Sequence, residues 1–172
     1  IGWSGSISTI KHFELLVPVL IKLQEKYRNK LKFKVIGDKY YKHDILNVEA
    51  IEWKENTEVS ELNSLDIGLM PLPDDEWANG KCGLKGLSYM ACAVPAVMSA
   101  VGVNKDIIQN GENGFLVNTD EEWLTVLSNL IENEALRVEV GNKGRETVIK
   151  NYCVKAHQHS YLEVFKSAGA NR

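Results

Sequence analysis

The chain has 172 residues, 44% of them hydrophobic and 25% charged, which is enough for one globular domain with a proper core and short for two. This composition excludes low-complexity, fibrous and disulfide-scaffold proteins. Twenty Lys and Arg against 23 Asp and Glu leave a formal charge of −3, so no whole-surface attraction to nucleic acid or anionic lipid is expected, while a local basic site stays open. No charged leader followed by a short apolar run opens the sequence, and Ile1 reads as a cut start. The longest apolar stretch, Leu15 to Leu23, is interrupted by Pro18 and Lys22 and falls short of the ~20 residues that a membrane-spanning helix needs. Cys82, Cys92 and Cys153 are odd in number and lack a Cys-x-x-Cys pair, as fits reduced thiols in the cytoplasm. His157 and His159, two apart, turn away from each other on a helix, so no metal site is expected there.

Short apolar runs alternate with longer stretches of helical period, the pattern of an α/β fold with a parallel sheet covered by helices. Expected strands are Ile1 to Trp3, Leu31 to Ile36, Leu46 to Ile51, Asp66 to Met70, Val94 to Ser99 and Gly114 to Val117, each bounded by Gly, Pro, Asn or Asp. A first helix is expected from an N-cap at Thr9 to about Arg28, with Phe13, Leu16, Val17, Leu20 and Leu23 as its core stripe and a kink at Pro18. Further helices are expected from Lys81 to Ala93 and Lys105 to Asn110, then, in a helical C-terminal part, from Glu121 to Asn133, Glu134 to Asn151 and Val154 to Ala168. Trp123, Leu127, Leu130 and Ile131 supply one apolar face there, and Tyr161, Leu162 and Phe165 another.

Ligands of open parallel sheets sit at the carboxyl ends of the strands, which directs attention to three segments. Gly2-Trp-Ser-Gly-Ser-Ile-Ser-Thr9 leaves a strand and opens a helix, so it can offer backbone N–H groups to an anion, or it is simply a capped turn. It is neither Gly-x-Gly-x-x-Gly nor a Walker A sequence. In the second segment, Pro71 to Gly86, Lys81 and Lys85 are four apart and share a face if the helix has begun by then. Gly83 and Gly86 there cost about 1 kcal/mol each against Ala in a helix, a cost usually offset by close backbone approach. Two lysines, a helix start and bare glycines suit a diphosphate; the alternative is a pair of solvated lysines. Asp74, Asp75 and Glu76 read as a solvated loop more readily than as a metal cluster. In the third, Gly102 to Val117, Asn113-Gly114 is a tight-turn dipeptide that reads as architecture.

The order of Asp66-Ile-Gly-Leu-Met-Pro71, Gly80-Lys-Cys-Gly-Leu-Lys-Gly-Leu-Ser-Tyr-Met-Ala91, Val94-Pro-Ala-Val97, Gly102-Val-Asn-Lys-Asp-Ile-Ile108 and Gly111-Glu-Asn-Gly-Phe-Leu-Val117 resembles the C-terminal domain of retaining GT-B glycosyltransferases of family 4. The resemblance covers nearly the whole chain. It implies a Rossmann-like sheet of about six strands, residues 1–172 forming the single C-terminal lobe that holds a nucleotide-diphosphate sugar. The acceptor, a glycan, lipid or small molecule, would be held mostly by an N-terminal domain absent from this chain. It points to Gly5, Ser6, Ser8 and Thr9 as diphosphate contacts and to Trp53 and Lys54 as contacts to the base, Trp53 being equally a candidate for the core. Gly83, Leu84 and Ser88 complete the expected donor site.

Two departures stand out. The family's pair of glutamates, separated by seven residues, falls on Gly80 and Ser88, and the Arg and Lys of its first loop fall on Trp3 and Ser8 or Thr9. Lys81 and Lys85 are then the expected substitute charges on the leaving diphosphate, with no metal or other cofactor. The function implied is the donor-binding half of a retaining glycosyltransferase that is inactive without its other lobe. The alternatives are an inactive binding module of the same fold and an epimerase-type enzyme. A cytoplasmic location is implied, with any membrane contact made through the other domain.

Overall fold

The computed structural model describes residues 1–169. Strands β1 (Gly2–Ser4), β2 (Phe33–Gly37), β3 (Val48–Glu52), β4 (Gly68–Met70), β5 (Ala96–Ser99) and β6 (Phe115–Val117) form one parallel sheet in the order β3-β2-β1-β4-β5-β6. All six lie within two residues of the expected runs. Successive side chains of a strand point to opposite faces, and here each face feeds its own core. Val35, Leu69 and Val97 join Trp3, Phe13, Leu20, Leu23 and Leu127 on one side. Ile36, Met70 and Met98 join Leu62, Tyr89, Met90 and Ile107 on the other. With both faces covered, the inner strands read as unbroken apolar runs.

The expected first helix is two. After a 3₁₀ turn at Ile7–Thr9 come α1 (Ile10–Glu14) and α2 (Val17–Tyr27), and Pro18 falls in the first turn of α2. A proline lacks the N–H that a helix interior needs but costs nothing in a first turn, where that donor has no partner. The chain therefore restarts its helix at Pro18 instead of kinking there, and the whole stripe from Phe13 to Leu23 stays buried. Thr9 is not a side-chain cap; the 3₁₀ turn begins after Ser6, whose N–H donates to Thr9 Oγ1 at 3.0 Å.

Two short helices were not expected: α3 (Glu58–Asn63), held by one buried residue, Leu62, and α4 (Glu76–Asn79). The acids before Trp77 are thus not a plain solvated loop, because Asp75 Oδ1 caps α4 by accepting from Ala78 N at 2.7 Å. Helix α5 (Leu84–Ala91) starts three residues later than expected, and α6 (Asn104–Ile107) is shorter. Helices α7 (Asp120–Glu132), α8 (Glu134–Asn151) and α9 (Val154–Gly169) follow the expected spans, while positions 170–172 of the expected domain lie outside the described residues. Thr119 and Glu122 form a reciprocal cap for α7, and Asn133 ends that helix and caps α8. Tyr161, Leu162 and Phe165 do lie on α9 but are exposed, so that face belongs to no core among the described residues. No described helix is long and apolar enough to cross a membrane.

Strands β1 and β4 meet in ladder register only at Gly2 and Gly68. Gly2 N–H donates to Ile67 O at 2.8 Å. One step on, where Ser4 N–H and Leu69 O would continue the ladder, the Tyr89 hydroxyl stands between them. It accepts from Ser4 N at 2.8 Å and donates to Leu69 O at 3.2 Å. Its ring lies against Gly68 so closely that a Cβ there would overlap it. Burial holds the hydroxyl far above the ordinary phenol range, so it stays protonated and able to donate.

Tyr89→Phe leaves Ser4 N–H without an acceptor and is expected to cost about 1–3 kcal/mol of unfolding free energy in urea titration. An unchanged midpoint would remove the bridge as a structural element. His12 on α1 is 4% exposed and neither ring nitrogen has a protein hydrogen-bond partner. Burial first, then the charges of Lys81, Lys11 and Lys85, lowers its pKa below 6.5. The unfolded chain then binds the proton more readily, so stability declines as pH falls through the unfolded value. Between about pH 7 and about pH 5, wild type should lose more stability than His12→Leu, and parallel pH profiles would exclude His12 as the source.

Candidate functional site

The carboxyl ends of β1, β2 and β3 and the first turns of α5 open into a cleft of about 750 Å³, within the range of small-molecule sites. It lies where the strand order reverses between β1 and β4, the place where open α/β sheets bind ligands. The loop after β1 contributes Ser4 to Ser8, β2 ends on Gly37, and β3 runs out into Glu52 and Trp53. Glu58 enters from the first turn of α3, and Leu84, Lys85 and Ser88 from α5, with Tyr89 at the base.

The β1 loop is tied to itself before any ligand arrives. Ser6 Oγ lies 2.9 Å from Ser8 Oγ and 3.2 Å from Thr9 Oγ1, and Thr9 N donates to Ser6 O at 2.9 Å. Among the described residues the N–H groups of Ile7 and Ser8 find no protein acceptor, and both residues line the cleft. Gly37, at φ +148°, lets this loop approach β2, since a Cβ there would run into Gly5 O. On the other wall, the first N–H groups of α5 have no intrahelical partner, as at any helix start. Two helical N-termini therefore converge on the same volume and favour negative charge in it.

Lys85 adds the cation. Its Nζ stands 5.6 Å above the ring centroid of Trp3, itself buried, and its Cε crowds Gly5. Desolvation first, and the charge of Lys81 second, lowers its pKa from 10.5. No carboxylate among the described residues pairs with it. The opposite wall is acidic. Glu52 is already compensated by Lys39 at 3.2 Å and Lys54 at 3.8 Å, whereas Glu58 is half-buried with no ion-pair partner among the described residues.

Of the residues singled out from the sequence, Gly5, Ser6, Ser8, Trp53, Leu84, Lys85 and Ser88 line this one cleft. Trp53 is 45% exposed, which sets aside its alternative reading as core. Thr9 ties the loop from behind, and Lys54 points to Glu52 rather than into the cleft. Gly83 is a buried N-cap at φ +72° beside Ile107, outside the lining. Its left-handed turn separates Lys81 from α5, so the two lysines do not share a helix face. Lys81 instead stands 5.0 Å over the Trp77 ring in a neighbouring depression. Sequence reading missed Gly37, Glu52, Glu58 and Tyr89, although Gly37 and Glu52 end strands, the position that directed attention to the rest. No group of three or more His, Cys, Asp or Glu among the described residues is placed to hold a metal ion.

The chain matches the model of the family described as Glycosyl transferases group 1 over residues 1–133. It is 35% identical over 87 residues to trehalose synthase of Pyrococcus horikoshii, which covers 51% of this chain and 21% of that protein. Its fold is similar to the crystal structure of the C-terminal domain of a glycosyl transferase group 1 family protein (LpcC) from Francisella tularensis. The TM-score is 0.71 at 23% identity, covering 89% of this chain and 86% of that one. It is also similar to Anabaena HepE in complex with UDP-glucose, with a TM-score of 0.73 at 14% identity, covering 96% of this chain and 48% of that one. The chain thus spans about a fifth of the trehalose synthase and about half of HepE. With residues 1–133 of its 172 inside the match, this chain belongs to the glycosyl transferases group 1 family.

Proposed function

We propose that the cleft binds the nucleotide-diphosphate sugar of a retaining glycosyltransferase and that this chain is the donor-binding lobe. The observation that carries the reading is the convergence of two helical N-termini and an unpaired, partly desolvated Lys85 on one cleft at the switch point of the sheet. Family membership and the UDP-glucose complex of the similar HepE structure support it. As the glycosidic bond breaks, negative charge builds on the departing diphosphate. The N–H groups of Ile7 and Ser8, the first turn of α5 and Lys85 offer that charge preorganised partners without a metal. Lys81, one turn of loop away, raises the local positive potential. At the other end of the cleft, Trp53 offers a ring to a base, and Glu58 and Ser88 offer acceptors to ribose hydroxyls. No side chain of this lobe acts as nucleophile in this scheme; the acceptor attacks from the face on which the diphosphate leaves.

A second lobe that holds the acceptor belongs to this proposal. The coverage of 48% of HepE and the uncovered apolar face of α9 support it. The isolated chain is then expected to bind a donor nucleotide without transferring sugar, and the full protein to work in the cytoplasm. The absence of a carboxylate at Gly80 and Ser88 favours one second reading, a lobe that binds a nucleotide sugar without supporting its transfer.

The test is thermal denaturation with UDP, GDP and ADP, since a ligand that binds only the native state raises apparent stability. One nucleotide should raise the melting temperature, and no shift with any of the three would sink both readings. Lys85→Ala should weaken the effective nucleotide by roughly ten- to a hundredfold in calorimetric titration, the range for a hydrogen bond to a charged group. Because the charged form of Lys85 is disfavoured in the free protein, affinity should decline as pH rises through a value below 10.5, and Lys85→Arg should remove that decline. Affinity independent of alkaline pH in wild type would exclude Lys85 as the diphosphate partner.

A further inference from the structure

Beside the cleft, the β4–α5 connection presents an aromatic ring that none of the chemistry above uses. Trp77 is 74% exposed, whereas Trp3 and Trp123 are buried. It lies in a depression of about 500 Å³ with Glu76, Gly80 and Lys81. Its mount is stiff. Asp75 caps α4, Asn79 Nδ2 donates to Asp74 Oδ1 at 3.0 Å and to Asp75 O at 2.9 Å, and Ala78 anchors the turn in the core. The Lys81 ammonium holds one face of the indole at 5.0 Å, and with the ring so exposed the opposite face stands open. The cap and the Asn79 bonds thus hold the backbone beneath the ring, and a cation covers one of its faces.

We propose that the open face of Trp77 is a stacking platform for a pyranose ring, with Glu76 and Lys81 as hydrogen-bonding partners for its hydroxyls. A pyranose has a face of weakly positive C–H bonds and a girdle of hydroxyl groups. It therefore matches a negative aromatic face rimmed by polar side chains. The depression contains no second apolar side chain, and Asp74, Asp75, Glu76, Asn79 and Lys81 surround the ring in sequence. A protein partner requires a contiguous apolar patch, which this rim breaks up. An anionic membrane is disfavoured by the three consecutive acids. From Lys81 the chain runs through Gly83 directly to Leu84 and Lys85, so the platform adjoins the end of the cleft that attracts diphosphate. That the ring belongs to a transfer substrate rests on the proposed function, and it is either the sugar of the donor or that of an acceptor.

The four tryptophans give four indole N–H signals in a proton–nitrogen correlation spectrum of the labelled chain, assigned with Trp77→Phe and Trp53→Phe. Methyl pyranosides of the gluco, galacto and manno series and N-acetylglucosamine, at millimolar concentration, are expected to shift the Trp77 signal and leave those of Trp3 and Trp123 in place. Such a shift assigns the platform to an acceptor sugar. A shift of Trp77 by UDP-glucose or GDP-mannose, absent with UDP or GDP, assigns it to the sugar of the donor. Saturation transfer to the bound pyranoside should be lost in Trp77→Ala, a variant expected to keep its fold because the side chain is exposed. If neither free sugars nor nucleotide sugars move Trp77, or if its signal moves only with protein concentration, the platform is overturned. A nucleotide shift at Trp53 in the same spectra keeps that outcome distinct from failure of the donor-site reading, which would leave Trp53 unmoved by every nucleotide.

Discussion

At the base of the cleft one phenol takes the place of one rung of the sheet. Parallel strands close together along a continuous ladder of hydrogen bonds, and β1 and β4 begin such a ladder at Gly2 and Ile67. Tyr89 interrupts it at the next rung and satisfies both orphaned groups with a single hydroxyl. The strands separate there at no cost in unpaired backbone, which is what a buried opening requires. The same residue is the sixth of α5, one turn on from Lys85 and next to Ser88, so its anchorage also fixes the helix that forms one wall. Gly68 is the necessary counterpart, because only a residue without a side chain lets the ring lie flat on β4. Sheet opening, helix placement and site geometry are therefore one coupled feature.

The aromatic layer beneath extends this coupling to the charge. Trp3 packs on Phe13 with centroids 6.0 Å apart, and Phe13 meets Tyr41 edge-on at 5.6 Å. This stack gives the β1 loop an apolar floor. Lys85 rests on that floor, which explains why it is poorly solvated and yet remains without a carboxylate. A cation placed over an indole keeps its charge available in a way that an ion-paired lysine does not. His12 lies on the same helix as Phe13, and after burial the charges of Lys81, Lys11 and Lys85 lower its pKa, so the lysines act below the cleft as well as in it.

The sheet and most helices were legible in the sequence because both faces of the sheet are buried and the strand ends carry Gly, Pro, Asn or Asp. The breaks were less so. Pro18 has two structural outcomes, a kink or a new start, and the residue itself does not choose between them. Helix α3 rests on Leu62 alone and offers no periodicity to detect, and α4 is one turn held by the Asp75 cap. The Lys81 and Lys85 pairing failed for a backbone reason. Gly83 takes a left-handed conformation, which begins α5 afresh and turns Lys81 toward Trp77. Cleft residues were found where the argument from strand ends was applied, after β1 and β4, and at Trp53 from the family resemblance, and missed elsewhere, at Gly37, Glu52 and Glu58.

A carboxylate at Ser88 would have placed acid on the same wall as Lys85, and one at Gly80 acid beside Lys81. Their absence sorts the charge of the cleft by position instead. The β4–α5 side carries Lys85, with Lys81 behind it, and the β3–α3 side carries Glu58, the cleft-lining acid whose charge no lysine offsets among the described residues. Such a cleft has an electrostatic direction. A ligand with a dianionic centre and a hydroxyl-bearing end gains by placing the first at Lys85 and the second at Glu58, and loses in the reverse orientation through like-charge contact. In the proposed donor complex this puts the base at Trp53, the ribose at Glu58 and Ser88, and the diphosphate between the β1 loop and α5. Beyond Lys85 lie Lys81 and the open face of Trp77, the platform proposed for a donor or an acceptor sugar. Polarity along the cleft and the platform beyond it are thus two expressions of the same arrangement, in which orientation is set by where charge was removed as much as by where it was kept.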